Sequence, residues 1–159
     1  MDSFGLAHRI ARHQDRLLYR VVRDRHTADA AEMAATAATF DALTDAEYAL
    51  VVTFRRSGQP MATPMWFALQ DGVVYLESLA DADKVKRLRH DPNVRVAPCT
   101  LRGRPKGPFT AGVGRILSVA EEPNAEASLD RHYGRRRRYV RLGARLGVKT
   151  VYLELTPAA

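Results

Sequence analysis

The chain has 159 residues, of which 46% are hydrophobic and 27% are charged, a balance typical of one soluble globular domain with its own core. No apolar run approaches the roughly 18 residues that span a bilayer, and residues 1–20 lack the apolar segment of a signal peptide, so we expect a cytoplasmic protein. The single cysteine, Cys99, excludes an intrachain disulfide framework and fits a reducing compartment.

The net charge of +7 is concentrated in the second half of the chain. Residues 41–80 carry 2 basic and 5 acidic side chains, whereas residues 81–120 carry 9 and 3, and residues 121–159 carry 8 and 5. A focused positive field attracts anionic partners, of which nucleic acid, a phosphorylated cofactor and a polyanionic tail are the three classes to weigh.

The sequence pattern predicts a boundary near residue 40, between an N-terminal helical extension, residues 1–40, and a split β-barrel domain, residues 41–159. Apolar residues recur at helical spacing across residues 4–22, which predicts an amphipathic helix that packs on the domain or on a partner subunit. The Ala-rich residues 27–39 suit either a continuation of this helix or a linker.

Six β-prone segments separated by turn signals follow, at residues 48–55, 60–69, 73–77, 94–99, 109–119 and 150–155. Gly58 and the sequence Gln70-Asp71-Gly72 predict the first two turns, and Pro64 indicates that the second strand does not lie in the centre of a ladder. Helices are predicted after the third strand and across residues 121–146, the latter broken near Gly134 and Gly143. The pattern predicts a mainly β domain, a small six-stranded antiparallel barrel with short flanking helices.

The short helix after the third strand carries a compact cationic cluster: Lys84, Lys86, Arg87 and Arg89. Its position beside the end of a β-meander makes it a candidate docking point for a phosphorylated cofactor. The alternative interpretation is a solvated basic helix face, which is what most charge runs are.

A second cationic patch contains Arg135, Arg136, Arg137, Arg138, Arg141 and Arg145. It is either a solvated helical face partly paired with nearby acids, a binding surface for a poly-acidic coenzyme tail, or a nucleic-acid surface. Nucleic acid is the least favoured, because only Tyr133 and Tyr139 flank the run and little aromatic interleaving accompanies it. The five histidines show no metal-ligand spacing, so no metal site is predicted.

Several short motifs follow one another in a fixed order: Gly58-x-Pro60, Ala62-Thr63-Pro64-Met65-Trp66-Phe67, Asp71-Gly72 with Tyr75-Leu76, Lys84-x-x-Arg87-Leu88-Arg89-x-x-Pro92-x-Val94, Ala97-Pro98-Cys99-Thr100 with Arg102-Gly103, and Val151-Tyr152-Leu153. Over residues 41–157 this ordered set resembles the split β-barrel flavin and deazaflavin oxidoreductases, the pyridoxamine 5′-phosphate oxidase-like class. Within that class it is most similar to the branch that uses the deazaflavin coenzyme F-420.

The resemblance implies a set of cofactor-binding residues. The strand that matches residues 62–67 runs beside the tricyclic ring in the family, which implies cofactor contacts for Thr63, Pro64, Met65 and Trp66. The residues that hold the cofactor phosphate in the family correspond to Ser78, Lys84 and Arg87. The resemblance also implies that Cys99 and Arg102 lie near the cofactor. Lys84 and Arg87 lie one turn apart and so share a helix face. Met65 and Trp66 point to opposite faces of a strand, so only one of them can face the core, and Trp66 is alternatively a packed core aromatic.

The resemblance also implies a homodimer with two cofactor sites at the subunit interface, and hydride transfer from reduced F-420 to a small or conjugated organic substrate. The cofactor would carry the chemistry, so we assign no catalytic residue. Two alternatives stay open: an FMN-dependent oxidoreductase of the same fold, and a non-enzymatic protein that binds flavin, haem or another tetrapyrrole. Neither a membrane nor a nucleic-acid partner is expected.

Overall fold

The computed structural model describes residues 26–137 and 147–159. The helix predicted over residues 4–22 and the part of the last predicted helix at residues 138–146 lie outside this range. The elements, in chain order, are α1 (His26–Ala31), β1 (Ala35–Ala37), a 3-10 turn (Asp41–Leu43), β2 (Tyr48–Phe54), β3 (Pro60–Met65), β4 (Ala68–Gln70), β5 (Val73–Leu79), α2 (Asp83–His90), β6 (Asn93–Cys99), β7 (Phe109–Ile116), α3 (Glu122–Tyr133), a 3-10 turn (Gly134–Arg137) and β8 (Thr150–Pro157).

The strands form one curled sheet in the order β3-β2-β6-β7-β8-β5-β4, with antiparallel neighbours throughout and β1 added in parallel beside β7. The predicted mainly β split barrel is confirmed. The predicted second strand, residues 60–69, is divided into β3 and β4 at Trp66 and Phe67. These two strands are consecutive in the chain but lie at the two ends of the sheet order, so the split of the barrel falls at Trp66 and Phe67.

The predicted hairpin turns have the required backbone geometry. Gly58 has φ +82°, and the two residues between β4 and β5, Asp71 and Gly72, have φ +53° and +76°. A two-residue turn with positive φ at both positions matches the right-handed twist of its flanking strands. Pro60 and Pro64 lie on β3, which is an edge strand of the described sheet, where a residue without an N–H is tolerated.

Side chains from alternate strand positions pack into separate hydrophobic clusters. The barrel interior holds Phe40, Leu43, Ala49, Val51, Met65, Phe67, Val74, Leu76, Leu88, Val94, Val96, Leu153 and Leu155. A cluster that includes Ala30 and Ala31 of α1 holds Leu50, Val52, Ala62, Ala97, Cys99 and Phe109. A third cluster, with residues of α3, holds Ala68, Tyr75, Leu117, Ala125, Leu129, Tyr133 and Tyr152.

Helix α2 is seated on the barrel through a close approach at Gly114 of β7. A Cβ atom at Gly114 would lie 2.8 Å from Leu88 Cδ1 and 2.7 Å from Leu155 Cδ2, distances that real Cβ contacts do not reach. A side chain at position 114 would therefore force Leu88 and Leu155 to shift, and glycine avoids this. In the described part of the chain, no helix is long and apolar enough to cross a membrane.

Candidate functional site

Helix α2 is amphipathic, and its apolar side decides where its basic side points. Val85 and Leu88 are buried, Lys84 and Arg87 are half-buried, and Lys86 and Arg89 are exposed. The cationic cluster of the sequence is therefore two pairs, one turned toward the barrel and one turned toward water. This separation distinguishes Lys84 and Arg87 from ordinary solvated charges.

Arg87 reaches the end of β2. Its Nε donates a hydrogen bond of 2.8 Å to Oγ1 of Thr53, whose side chain is only 3% exposed. Thr53 follows Val51 on the same face of β2, so a hydroxyl is placed at the end of an otherwise apolar interior. Thr53 is not among the residues predicted for the site, and its only signal in the sequence is that it is a polar residue inside the apolar segment Val51-Val52-Thr53-Phe54.

Lys84, Thr53 and Thr63 line a common small pocket. Its remaining walls are apolar, formed by Val51, Met65, Leu88, Val94, Leu153 and Leu155. The cavity measures about 10 Å³, the space of one water-sized group. The site therefore offers two hydroxyls and an ammonium group, with a guanidinium bonded to one of the hydroxyls.

The other site residues predicted in or next to β3 lie on different faces of the sheet. Met65 is buried at the pocket wall, whereas Trp66 is partly buried and packs with the cluster under α3. The prediction that only one of these two faces the core is therefore correct. Pro64 pairs in register with Leu50 and is half-buried.

Trp66 stacks on Tyr133 of α3, with ring centroids 4.7 Å apart and an interplanar angle of 13°. The hydroxyl of Tyr133 accepts a bond of 2.9 Å from the backbone N–H of Phe67 and donates one of 2.9 Å to the carbonyl of Glu47. Burial is the main reason that the pKa of Tyr133 is raised to about 12. The C-terminal end of α3 is thus bonded to the segment between β3 and β4, where the barrel is split and the predicted second strand is broken.

Ser78, Cys99 and Arg102 do not line the pocket with Thr63 and Lys84. Ser78 is buried on β5, and its hydroxyl lies 3.4 Å from the carbonyl of Leu79. Cys99 lies in the cluster with Leu50, on the other face of the sheet. Their assignment to a cofactor site stays a prediction.

Burial raises the pKa of the Cys99 thiol to about 12, so the thiol is protonated at neutral pH. Arg102 is exposed in the loop after β6, beyond the end of β2 that is remote from Thr53. The carbonyl of Arg102 accepts a bond of 3.2 Å from Thr27 of α1. Neither residue is placed by the structure where it meets Lys84 or Arg87.

A shallow cleft of about 320 Å³ opens on the other side of Tyr133. It is lined by Thr44, Asp45, Ala46, Glu47, His132, Tyr133 and Arg136. Arg136 Nη1 pairs with Glu47 Oε1 across it at 2.9 Å, and both side chains are exposed. Such a pair contributes little to stability because water screens it.

The arginine run has one member that is not on the surface. Arg137 is 3% exposed; its guanidinium contacts Glu77 Oε2 at 2.5 Å, Asp130 Oδ1 at 2.8 Å and the hydroxyl of Tyr152 at 3.2 Å. The interpretation of the run as a solvated face is wrong for Arg137, which is buried, whereas the predicted pairing with nearby acids is confirmed for it by Asp130 of α3. Glu77 of β5 is a second partner, and the two carboxylates compensate the buried charge. Arg135 and Arg136 are exposed.

The family model described as pyridoxamine 5′-phosphate oxidase matches residues 35–157. The chain belongs to this family. The resemblance drawn from the motifs is thereby confirmed at the level of the family, and the matched range includes β1 to β8 and the whole Thr53–Arg87 site.

Solved structures support the fold of this pyridoxamine 5′-phosphate oxidase family member. Conserved hypothetical protein Rv2991 from Mycobacterium tuberculosis is 21% identical, with a TM-score of 0.56 over 80% of this chain and 87% of that chain. An FAD-binding protein from Mesorhizobium loti is 15% identical, with a TM-score of 0.55 over 74% and 84%. The haem storage protein HutZ from Vibrio cholerae is 13% identical, with a TM-score of 0.56 over 72% and 84%.

These identities establish the common fold and no more, since one fold serves several functions. A comparison with curated proteins gives no significant match. In the part of the chain that the structure describes, no group of three His, Cys, Asp or Glu residues is arranged to hold a metal ion.

Proposed function

We propose that this protein is an oxidoreductase that binds the phosphate of a flavin-type cofactor at the α2 end of its barrel. The observation that carries the proposal is the convergence of Thr63, Lys84 and Arg87 around Thr53, two cations and two hydroxyls at one end of the sheet. In its specific form, the reaction is hydride transfer from reduced coenzyme F-420 to a small or conjugated organic substrate.

The donor set fits a phosphate. A guanidinium can hold two phosphate oxygens at once and an ammonium acts as a point charge, so Arg87 and Lys84 supply complementary contacts. Both are half-buried, which screens them less than the exposed Lys86 and Arg89. Hydrogen bonds to a charged group are worth about 1.5–3 kcal/mol each, enough for two such contacts to dominate the affinity of a small ligand.

The size of the pocket implies that the phosphate and the ring of the cofactor bind in different places. A space of about 10 Å³ accepts one oxygen-sized group and excludes a tricyclic ring. The ring must then lie outside the barrel, and the neighbouring edge strand β3 is the natural support for it. As an edge strand, β3 has backbone groups that are not used in the sheet, and Pro64 lacks an N–H.

Reduced deazaflavin, when bound, supplies the hydride. The residues of this chain bind and orient it: Lys84 and Arg87 hold the anionic end, and β3 borders the ring. No described side chain is assigned an acid–base role, and solvent suffices as the source of a proton.

The choice between F-420 and FMN does not depend on this pocket, because both cofactors carry a ribityl phosphate. F-420 also carries a lactyl–oligoglutamate tail, and the excess of basic over acidic residues in the second half of the chain favours it. This surface charge supports F-420 over FMN, which lacks an acidic tail.

We also propose that two copies of the chain form the complete site. The pocket of one copy encloses only an oxygen-sized group, and β3 is an edge strand. A homodimer interface along this edge would enclose the ring and exclude water from it. Sedimentation at micromolar concentration tests this part, and a monomer that binds cofactor tightly would contradict it.

The proposed function is tested by titrating the purified protein with F-420 and with FMN while following the fluorescence of Trp66, the only tryptophan. We expect saturable quenching at micromolar cofactor and reoxidation of the bound reduced cofactor by a conjugated acceptor. Binding of FMN alone would move the assignment to an FMN-dependent enzyme. Binding without any turnover would favour a non-enzymatic binding protein. If the protein binds neither F-420 nor FMN, the proposal is rejected.

A further inference from the structure

We infer that Thr53 is a positioning residue that makes this site selective for a phosphorylated cofactor, by fixing Arg87 and by donating its own hydroxyl to the anion. This inference rests on the proposed function, since it concerns the same site. It adds a residue that neither the sequence motifs nor the family resemblance indicated.

The bond from Arg87 Nε to Thr53 Oγ1 fixes the plane of the guanidinium. A guanidinium is rigid and planar, so one bond at Nε determines the directions of all its remaining N–H groups. An arginine side chain otherwise loses much rotamer freedom when it binds a ligand. At 2.8 Å, from a hydroxyl on a buried strand position, this bond restrains Arg87 before the ligand arrives.

The hydroxyl of Thr53 also has an unused proton. It accepts from Arg87, and among residues 26–137 and 147–159 its own O–H has no acceptor. A threonine hydroxyl can accept one hydrogen bond and donate another, so Thr53, which is 3% exposed, can hold Arg87 and still donate to an anion beside it.

Thr63 repeats this arrangement on the adjacent strand. It pairs in register with Val51, two residues from Thr53, and its hydroxyl likewise has no hydrogen-bond partner within the described residues. Both hydroxyls and Lys84 line the same pocket of about 10 Å³. The rest of the pocket wall is apolar, so these three side chains are the ones that can donate to a single anionic oxygen there, such as one phosphate oxygen.

The experiment compares Thr53→Val, which keeps the shape and removes the hydroxyl, with Thr53→Ser, which keeps the hydroxyl. Calorimetry measures the affinity of each variant for FMN and for riboflavin, which differ only in the phosphate. For Thr53→Val we expect FMN to bind about 10- to 30-fold more weakly and riboflavin to bind as before, because only bonds to the charged group are lost. For Thr53→Ser we expect both affinities within about threefold of the wild type.

The outcomes separate this inference from the proposed function. If the wild type binds neither FMN nor F-420, the proposed function fails, and this inference with it. If the wild type prefers FMN to riboflavin and Thr53→Val keeps that preference unchanged, only the role of Thr53 is overturned. Equal losses for both ligands, or an equal loss in Thr53→Ser, would also overturn it, because they indicate a packing role. Thermal unfolding of each variant shows that the fold is retained.

Discussion

The backbone N–H of Phe67 donates to the hydroxyl of Tyr133 at 2.9 Å, across 66 residues of sequence. The bond is buried and lies where β3 ends and β4 begins, so it holds the two ends of the curled sheet relative to α3. Since β3 carries Thr63 and Met65 to the pocket beside α2, the position of that strand depends on a contact just beyond its C-terminal residue.

Replacing Tyr133 with Phe tests this contact. The change leaves the buried N–H of Phe67 without its partner and removes the bond to Glu47, and we expect a loss of about 1–3 kcal/mol in the free energy of unfolding. Urea denaturation measures it. Tyr48→Phe is the control, because the Tyr48 hydroxyl has no hydrogen bond within the described residues, and its effect should stay within about 0.5 kcal/mol. Equal losses of unfolding free energy in the two variants would show that the bond between Tyr133 and Phe67 does not stabilise the junction of β3 and β4.

The same residue predicts how stability changes in alkali. The pKa of Tyr133 is raised from 10.0 to about 12, mainly by burial, so the folded state favours the protonated form. This contribution is complete below about pH 10 and is lost as the pH rises toward 12. Urea midpoints at pH 9, 10 and 11 should fall more steeply for the wild type than for Tyr133→Phe. Parallel curves would contradict the assignment.

Cys99 should be chemically inert in the folded protein. Burial holds its pKa near 12, so at pH 8 almost no thiolate is present to react. A colorimetric thiol reagent should label the native protein at least 100-fold more slowly than the urea-unfolded protein. Fast labelling of the native protein would mean that the face with α1 is open to solvent.

Arg137 and Arg135 should differ sharply although they are two residues apart. Arg137→Met leaves Glu77 and Asp130 without their buried partner, and we expect it to cost about 3 kcal/mol in the free energy of unfolding. Arg135→Met changes an exposed side chain and should cost less than about 0.5 kcal/mol. Thermal unfolding compares the two, and equal effects would show that the buried pairing is not needed.

The strands were predictable because local chemistry decides them. Gly58 and Asp71-Gly72 specify their turns by backbone conformation, and the turns adjoin β2 and β5, which are rich in β-branched and aromatic residues. The separation of Lys84 from Lys86 also follows from helix periodicity once Val85 and Leu88 are recognised as buried.

Contacts between distant segments were not predictable. The second strand breaks at Trp66, whose ring stacks on Tyr133, and nothing near Trp66 in the sequence indicates this distant partner. Arg137 is indistinguishable from its neighbours in the run until Glu77, 60 residues earlier, is placed beside it. Thr53 was missed for the same reason, because its partner Arg87 lies on another element.

The central claim is that the half-buried pair Lys84 and Arg87, and not basic charge in general, binds the cofactor. The most direct measurement is calorimetry of F-420 binding to two charge-matched double variants, Lys84→Ala/Arg87→Ala and Lys86→Ala/Arg89→Ala. Each variant removes two positive charges from the same helix. The account predicts at least a 100-fold loss of affinity for the first and less than about fivefold for the second. Equal losses in the two variants would contradict it.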